Sequence, residues 1–284
     1  MDQIIGVFRA AAEANLRNTY RKGHVVEVSG PEADELMITA DLHGNRRNFD
    51  RICKLADLQS HCCRHLVMQE VCHGGPSYPS VAGCMSHLLL EDVARLKCQF
   101  PDQFHFLLSN HELSELTDFP IMKSGKLLNL AFRCGMQEFY GSSYQPVREA
   151  MLSFLGSCPL ALRTNNGVFV SHSLPEAVDQ QPFDMTIFQR SWPPTDMSKG
   201  GAVFELVWGR DFRESNARTF SKLVGAQVLI HGHEPCLGGF HVPNLFQLIL
   251  DSQDSQGRYL ILPLNRTLDH GQIIERIKPL FQSD

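Results

Sequence analysis

The sequence predicts an α/β fold of two packed, mixed β-sheets flanked by helices. In the first half, short apolar runs alternate with segments of helical periodicity. In the second half the apolar runs follow one another closely, as strands do. With 284 residues, 43% of them hydrophobic, the chain can bury a full core. We read residues 1–284 as a single domain with a helical insertion at about 113–157.

Ile4, Phe8, Ala12, Leu16 and Tyr20 recur every four residues, so the N-terminal stretch reads as an amphipathic helix with one buried stripe. His24 to Val28 and Leu36 to Ala40 read as neighbouring strands, with a turn at Gly30-Pro31. The second strand runs into Asp41 and His43. Side chains two apart in an extended segment share a side, so a hard oxygen and a neutral nitrogen there can grip one divalent ion. Phe49, Ile52, Cys53 and Ala56 then repeat as a helix, and His65 to Met68 is apolar again. This β-α-β unit calls for a right-handed crossover and a partly parallel sheet.

A further helix is expected from Val81, Cys84, Met85, Leu88 and Leu96, then a strand from Phe104 to Leu108 that ends in Ser109-Asn110-His111-Glu112. Adjacent residues leaving a strand diverge, so one can ligate metal while the other reaches a substrate. Glu112 reads as an acid at a helix start. Lys123 to Gly156 is rich in helix formers and should cover one side of the site. Asn165-Asn166-Gly167 predicts a tight hairpin whose second strand ends at His172. Residues 174–200 read as a surface loop, followed by an apolar run to Trp208 and then Arg210. Gln227 to Ile230 leads to His231-Gly232-His233, and Phe246 to Leu250 with Arg258 to Leu262 reads as a closing hairpin.

A net charge of −5 and a pI near 6.2 supply no basic footprint, which argues against binding a nucleic-acid backbone. Nine cysteines without a CxxC pair suit reduced, packed thiols. No apolar run approaches the roughly 18 residues of a membrane helix. The expected setting is cytoplasmic, away from membranes.

Four stretches, ADLHG, SNHE, VSHS and HGH, occur in the order of the calcineurin-like metallophosphoesterase signature. Between about Leu36 and Leu264 the chain resembles that family, most closely its PPP-type serine/threonine phosphatases and diadenosine tetraphosphatases. The resemblance implies a four-layer sandwich and two divalent ions that activate a hydroxide, manganese first, with iron or zinc as alternatives. It implies Asp41, His43, Glu70, Asn110, His172 and His233 as ligands, and His111 as the acid that protonates the leaving group. The second motif departs from the family pattern GDxVDRG, with Gln69 to Gly75 in its place. By position Glu70 takes the metal bridge, His73 replaces the second Asp and Gly74 the phosphate-binding Arg. On the substrate side the resemblance leaves Arg210 and His73, and restoring Arg at position 74 should tighten phosphate binding.

The expected function is metal-dependent phosphoester hydrolysis, on a phosphorylated small molecule, a nucleotide or a phosphoprotein. Two alternatives stand beside it. One is a binding or regulatory protein that keeps the fold with little or no activity, the other a phosphodiesterase or nucleotide pyrophosphatase.

Overall fold

The structure, a computed structural model, describes residues 2–30 and 32–281. Burial alternates along its strands and sorts the core into layers. Leu36 and Ile38 join Val170, Ile230, Leu250 and Leu260 in the core between two sheets, while Met37 points the other way, toward helices. A five-stranded sheet runs Ile277–Pro279, Arg258–Pro263, Glu35–Ile38, Arg64–Gln69, Phe104–Leu107. Its last three strands are parallel, and Arg258–Pro263 is antiparallel to Glu35–Ile38. The seven-stranded sheet runs Arg21–Lys22, Val25–Val28, Ala161–Thr164, Val168–Ser171, Val228–His231, Gln247–Leu250, Phe240–His241. In it, Val168–Ser171, Val228–His231 and Gln247–Leu250 are parallel.

Helices Asp2–Arg17, Ser86–Gln99 and Tyr144–Ser157 cover the smaller sheet, where Phe154 packs against Phe8 of the first helix and stacks on Phe106 of the strand Phe104–Leu107. Glu214–Val224 covers the larger sheet through Phe220 against Phe169. The result is the expected four-layer sandwich with two mixed sheets. Parallel strands place all their carboxyl ends on one edge, and the residues just beyond Ile38, Gln69, Leu107, Ser171 and His231 meet there. Among the described residues no helix is long and apolar enough to cross a membrane.

Several local expectations are corrected. The buried stripe of the first helix is Ile4, Phe8, Ala11 and Asn15, and Leu16 is 65% exposed. A strict four-residue spacing turns about 400°, so the stripe drifts by about 40° per step and leaves the buried face. Val25–Val28 and Glu35–Ile38 are not neighbours; they belong to opposite sheets, facing each other across the shared core. The same holds for Gln247–Leu250 and Arg258–Pro263, so the expected closing hairpin is a crossing between sheets. Two apolar strands joined by a polar loop look alike in sequence whether they pair or face each other. The helix expected from Val81 starts at Ser86, because Gly83 packs its backbone against Gly135, where no side chain fits. Residues 174–200 include the short helix Pro194–Met197, and the run to Trp208 is the helix Ala202–Trp208. Segment 113–157 holds helices Leu128–Tyr140 and Tyr144–Ser157 and a small hairpin, Met122–Lys123 with Lys126–Leu127. Of the expected turn, Gly30 has a positive φ of 101°, while Pro31 lies outside the described residues, as do Met1 and residues 282–284.

Candidate active site

Each site residue sits one to five positions past the end of a strand. Asp41 follows Glu35–Ile38, and its buried carboxylate accepts the His233 backbone N–H at 3.0 and 3.1 Å. Gly232 makes that approach possible: a Cβ there would lie 2.3 Å from Asp41 Oδ1. His43 brings Nε2 to 2.9 Å from Glu70 Oε1. On its other side Glu70 Oε2 lies 2.7 Å from His172 Nε2, which is also 2.7 Å from Asn110 Oδ1. Four of these residues, His43, Glu70, His73 and His233, have left-handed backbones, with φ of 43, 47, 64 and 71°. Such strain is rare outside glycine and gathers at functional sites.

The proton arrangement at His172 carries chemical information. Its Nδ1 is 2.9 Å from Gln69 Oε1, and the Gln69 amide nitrogen donates to the Thr39 carbonyl, so Oε1 is the acceptor and Nδ1 the donor. In a neutral ring Nε2 is then a bare lone pair, yet it faces two oxygens at 2.7 Å. Three acceptors converging on one point are stable only around something positive, either a cation or a proton on His172, which burial opposes and Glu70 and Asp41 favour. Glu70 Oε2, despite that distance, makes no hydrogen bond of proper geometry, and the buried His233 Nε2 has no partner. Orphaned lone pairs on mixed oxygen and nitrogen donors suit a borderline divalent cation. Two groups of potential ligand atoms, His43-Glu70-His111 and Glu70-His172-His233, each lie within 4.8 Å of one another and share Glu70. The donor set fits two ions with Glu70 between them.

Burial dominates the electrostatics. It pushes Asp41 up to about 7, reinforced by neighbouring Glu70. Burial opposes charge on His43, but Glu70 and Asp41 prevail and raise it to about 9. Burial likewise disfavours the Glu70 carboxylate, yet His111, His172 and His43 hold it well below the ordinary range. Burial drives His233 and His111 well down. Two carboxylates thus seek positive charge while two imidazoles keep free lone pairs, which is the balance a metal site requires.

The altered second motif is clamped from beneath. Glu112, read as a helix-start acid, accepts the Val71 and Cys72 backbone N–H groups at 3.0 and 2.8 Å through Oε1 and so ties helix Asn110–Thr117 to this loop. His73 is corrected as a substrate ligand. Its ring is fully buried, hydrogen-bonded by Nδ1 to His111 Nδ1 and by Nε2 to Glu115 Oε1, each at 2.9 Å, and does not reach the cavity. The expectation for position 74 also falls. Gly74 has φ 128°, and a Cβ there would lie 2.5 Å from the His43 carbonyl oxygen, so no Arg fits without displacing the first motif.

Asp41, His43, Glu70, Asn110, His111 and His233 open onto a cavity of about 280 Å³. Its outer wall includes Trp208, Arg210, Asp251 and Lys123 from the small hairpin. Arg210 pairs with Glu234, which offsets its charge. His172 lies below the floor, fully buried. A larger cavity of about 480 Å³ lies elsewhere, but its charged rim of Lys22, Glu27 and Arg163 is paired within itself.

By sequence, no family model and no curated protein matches the chain. Solved structures do match. A protein serine/threonine phosphatase from Saccharomyces cerevisiae superposes with a TM-score of 0.67 at 15% identity, covering 100% of this chain and 90% of that one. A cold-active protein-tyrosine phosphatase of a psychrophilic Shewanella superposes at 0.58 and 13% identity, covering 95% and 84%. The chain has the metallophosphoesterase fold. At such identities the likeness concerns the fold, and within this metallophosphoesterase fold the site above occupies the edge where the strands end.

Sequence reasoning missed Gln69, Glu115 and Lys123. Glu115 stands four residues after His111 on one helix, a spacing that puts both side chains on one face and was legible in NHELSE. Gln69 and Lys123 gave no such signal, since their roles depend on packing between distant segments.

Proposed function

We propose that the chain is a metal-dependent phosphoester hydrolase. The observation that carries this reading is the pair of ligand groups sharing Glu70, one of which contains the orphaned buried atoms Glu70 Oε2 and His233 Nε2. Asp41, His43, Glu70, Asn110, His172 and His233 would hold two divalent ions, manganese first and iron or zinc as alternatives, since no thiolate contributes. Bound there, such ions supply Lewis-acid polarisation of the phosphoryl group and acidify the attacking water. His111 faces the cavity through Nε2, 3.9 Å from Glu70 Oε1, and gives its proton to the leaving oxygen. Lys123 and Arg210 meet the phosphate from the outer wall, in place of the Arg that Gly74 excludes. The substrate class is a phosphorylated small molecule, nucleotide or phosphoprotein, and the yeast serine/threonine phosphatase that shares the fold supports including the last. Nine unpaired cysteines support a reducing, cytoplasmic setting.

The second reading, a binding or regulatory protein with little activity, is favoured by one observation: the one wall arginine is neutralised by Glu234. Metal analysis of wild type, Asp41→Asn and His172→Ala, with assays on an aryl phosphate with and without Mn²⁺, separates the two. The hydrolase reading expects metal in wild type, less in both variants, and Mn²⁺-dependent turnover. Metal without turnover on any of an aryl phosphate, a bis-aryl phosphate and a dinucleotide panel selects the regulatory reading. Turnover of the diesters alone selects a phosphodiesterase or nucleotide pyrophosphatase.

A further inference from the structure

His73 occupies the place of a carboxylate, and a bare substitution of this kind would leave His111 without an anionic support. The structure supplies one from another direction. His73 Nε2 lies 2.9 Å from Glu115 Oε1, and His73 Nδ1 lies 2.9 Å from His111 Nδ1. Both His73 and Glu115 have fully buried side chains. Ser86 Oγ accepts the His73 backbone N–H at 3.0 Å, and Phe132 packs edge-on against its ring at 5.5 Å. Asn129 donates to Glu115 Oε1 at 3.0 Å, and the Arg133 guanidinium stands 3.5 Å from Oε2. Asn129, Phe132 and Arg133 all come from helix Leu128–Tyr140, so that helix has a direct bearing on the site.

The proton order follows from donor chemistry. A carboxylate only accepts, so His73 Nε2–H donates to Glu115. A neutral His73 with its proton on Nε2 has Nδ1 as an acceptor. His111 Nδ1–H must then be the donor in the 2.9 Å contact. This leaves His111 Nε2 as the nitrogen facing the cavity.

We propose that Glu115, His73 and His111 form a buried relay in which Glu115 and His73 are positioning residues that fix the tautomer and orientation of His111. The inference rests on the hydrolase reading above and specifies how its acid is held. As the attacking water bonds to phosphorus it releases one proton, which the free lone pair of His111 Nε2 takes up and hands to the leaving oxygen as that oxygen's bond to phosphorus breaks, while Nδ1–H stays on His111 and donates to His73. The ring thus begins and ends neutral, with its one proton on Nδ1.

The test uses the full-length, manganese-loaded protein. Glu115→Gln keeps the shape and one acceptor but removes the charge at the end of the relay. Its kcat should fall about 10- to 100-fold on an alkyl phosphate, which needs a leaving-group proton, and at least several-fold less on 4-nitrophenyl phosphate. Metal content should not change. Equal losses on both esters, or lost metal, would make Glu115 structural or His111 a ligand, and either overturns the relay. A second readout needs neither turnover nor a variant: ¹⁵N spectra of metal-free, histidine-labelled wild type should show His111 protonated at Nδ1. Protonation at Nε2 alone overturns the proposal even if the protein hydrolyses esters, and an inactive wild type with the Nδ1–H form sinks the hydrolase reading while leaving the arrangement intact.

Discussion

Two groups of buried histidines lie in this molecule, and they behave as opposites. His65 and His105, on adjacent strands of the five-stranded sheet, stack at 5.2 Å with rings 5° from parallel and share one hydrogen bond of 2.9 Å. Among the described residues no carboxylate bonds to either ring, and burial pushes His65 down to about 4 and His105 well below its ordinary range. The group around Glu70 is equally buried, yet there His43 is raised to about 9 against burial by Glu70 and Asp41. His105 Nδ1 is orphaned just as His233 Nε2 is. A lone pair without a partner therefore does not make a metal site. Carboxylates that gather several such lone pairs around one point do, because only they repay the cost of dehydrating a dication.

The largest effect should come from removing the carboxylate that distinguishes the two groups. Glu70→Gln keeps the shape, but a neutral amide cannot balance two dications, and loss of a shared ligand costs at least about 100-fold in affinity. We expect at least one ion to be lost, measured by elemental analysis after dialysis. His105→Leu, in the other group, should leave metal content unchanged. Full metal content in Glu70→Gln would break the comparison at its centre and with it the bridging role.

Next in size is His111→Asn, which removes the one cavity-facing imidazole assigned to proton transfer. Turnover of alkyl phosphates should fall by about 10² to 10⁴ while activated aryl phosphates are largely spared. A variant that instead loses metal would move His111 from the acid to the ligand set, alongside His43 and Glu70.

Much of this contrast was legible in the chain. ADLHG, SNHE, VSHS and HGH placed Asp41, His43, Asn110, His111, His172 and His233 at strand ends, because an apolar run closed by a polar pair has few other meanings in an α/β sandwich. Glu70 was placed by position alone, and its neighbours His73 and Gly74 were not understood. Their roles are set by the contacts of His73 with Glu115 and of Gly74 with the His43 backbone, pairings between distant segments that no local pattern encodes. Sheet membership failed for a related reason: alternation reports that a strand has one face inward, but not which of two sheets it joins. Likewise His65 and His105 carry no mark in sequence that separates them from ligands, since what they lack is a neighbour.

The His65 and His105 pair makes its own prediction, of intermediate size. With the native value near 4 and the ordinary value at 6.5, folding keeps His65 neutral. Above about 6.5 both states are neutral and the pair leaves stability unaffected by pH. As pH falls from there toward 4 the unfolded chain takes up protons first, so stability is lost. Between pH 7 and 5 the loss from His65 is about 2 kcal/mol. Urea midpoints of the metal-free protein should show this fall, and His65→Leu/His105→Leu should flatten it by at least that amount. An unaltered pH dependence in the double variant would mean that the pair is solvated, and that burial does not separate the two groups.

The smallest effects belong to the cations at the rim, where the site's appetite for charge meets solvent. Lys123 is exposed on its hairpin and lines the cavity, while Arg210 lines the same cavity with its guanidinium held by Glu234. A hydrogen bond to a charged group is worth about 1.5 to 3 kcal/mol when shielded, and solvent reduces that at an open rim. Lys123→Gln should therefore raise the inhibition constant of inorganic phosphate by no more than about tenfold, with little change in kcat. Glu234→Gln should act in the opposite direction, because it frees Arg210 to turn its planar donors toward the phosphate. Phosphate should then inhibit several-fold more tightly, and the gain should shrink as salt is raised from about 0.01 to 0.15 M. If Glu234→Gln instead weakens phosphate, the ion pair is what positions Arg210, and the outer wall binds phosphate as a preformed pair.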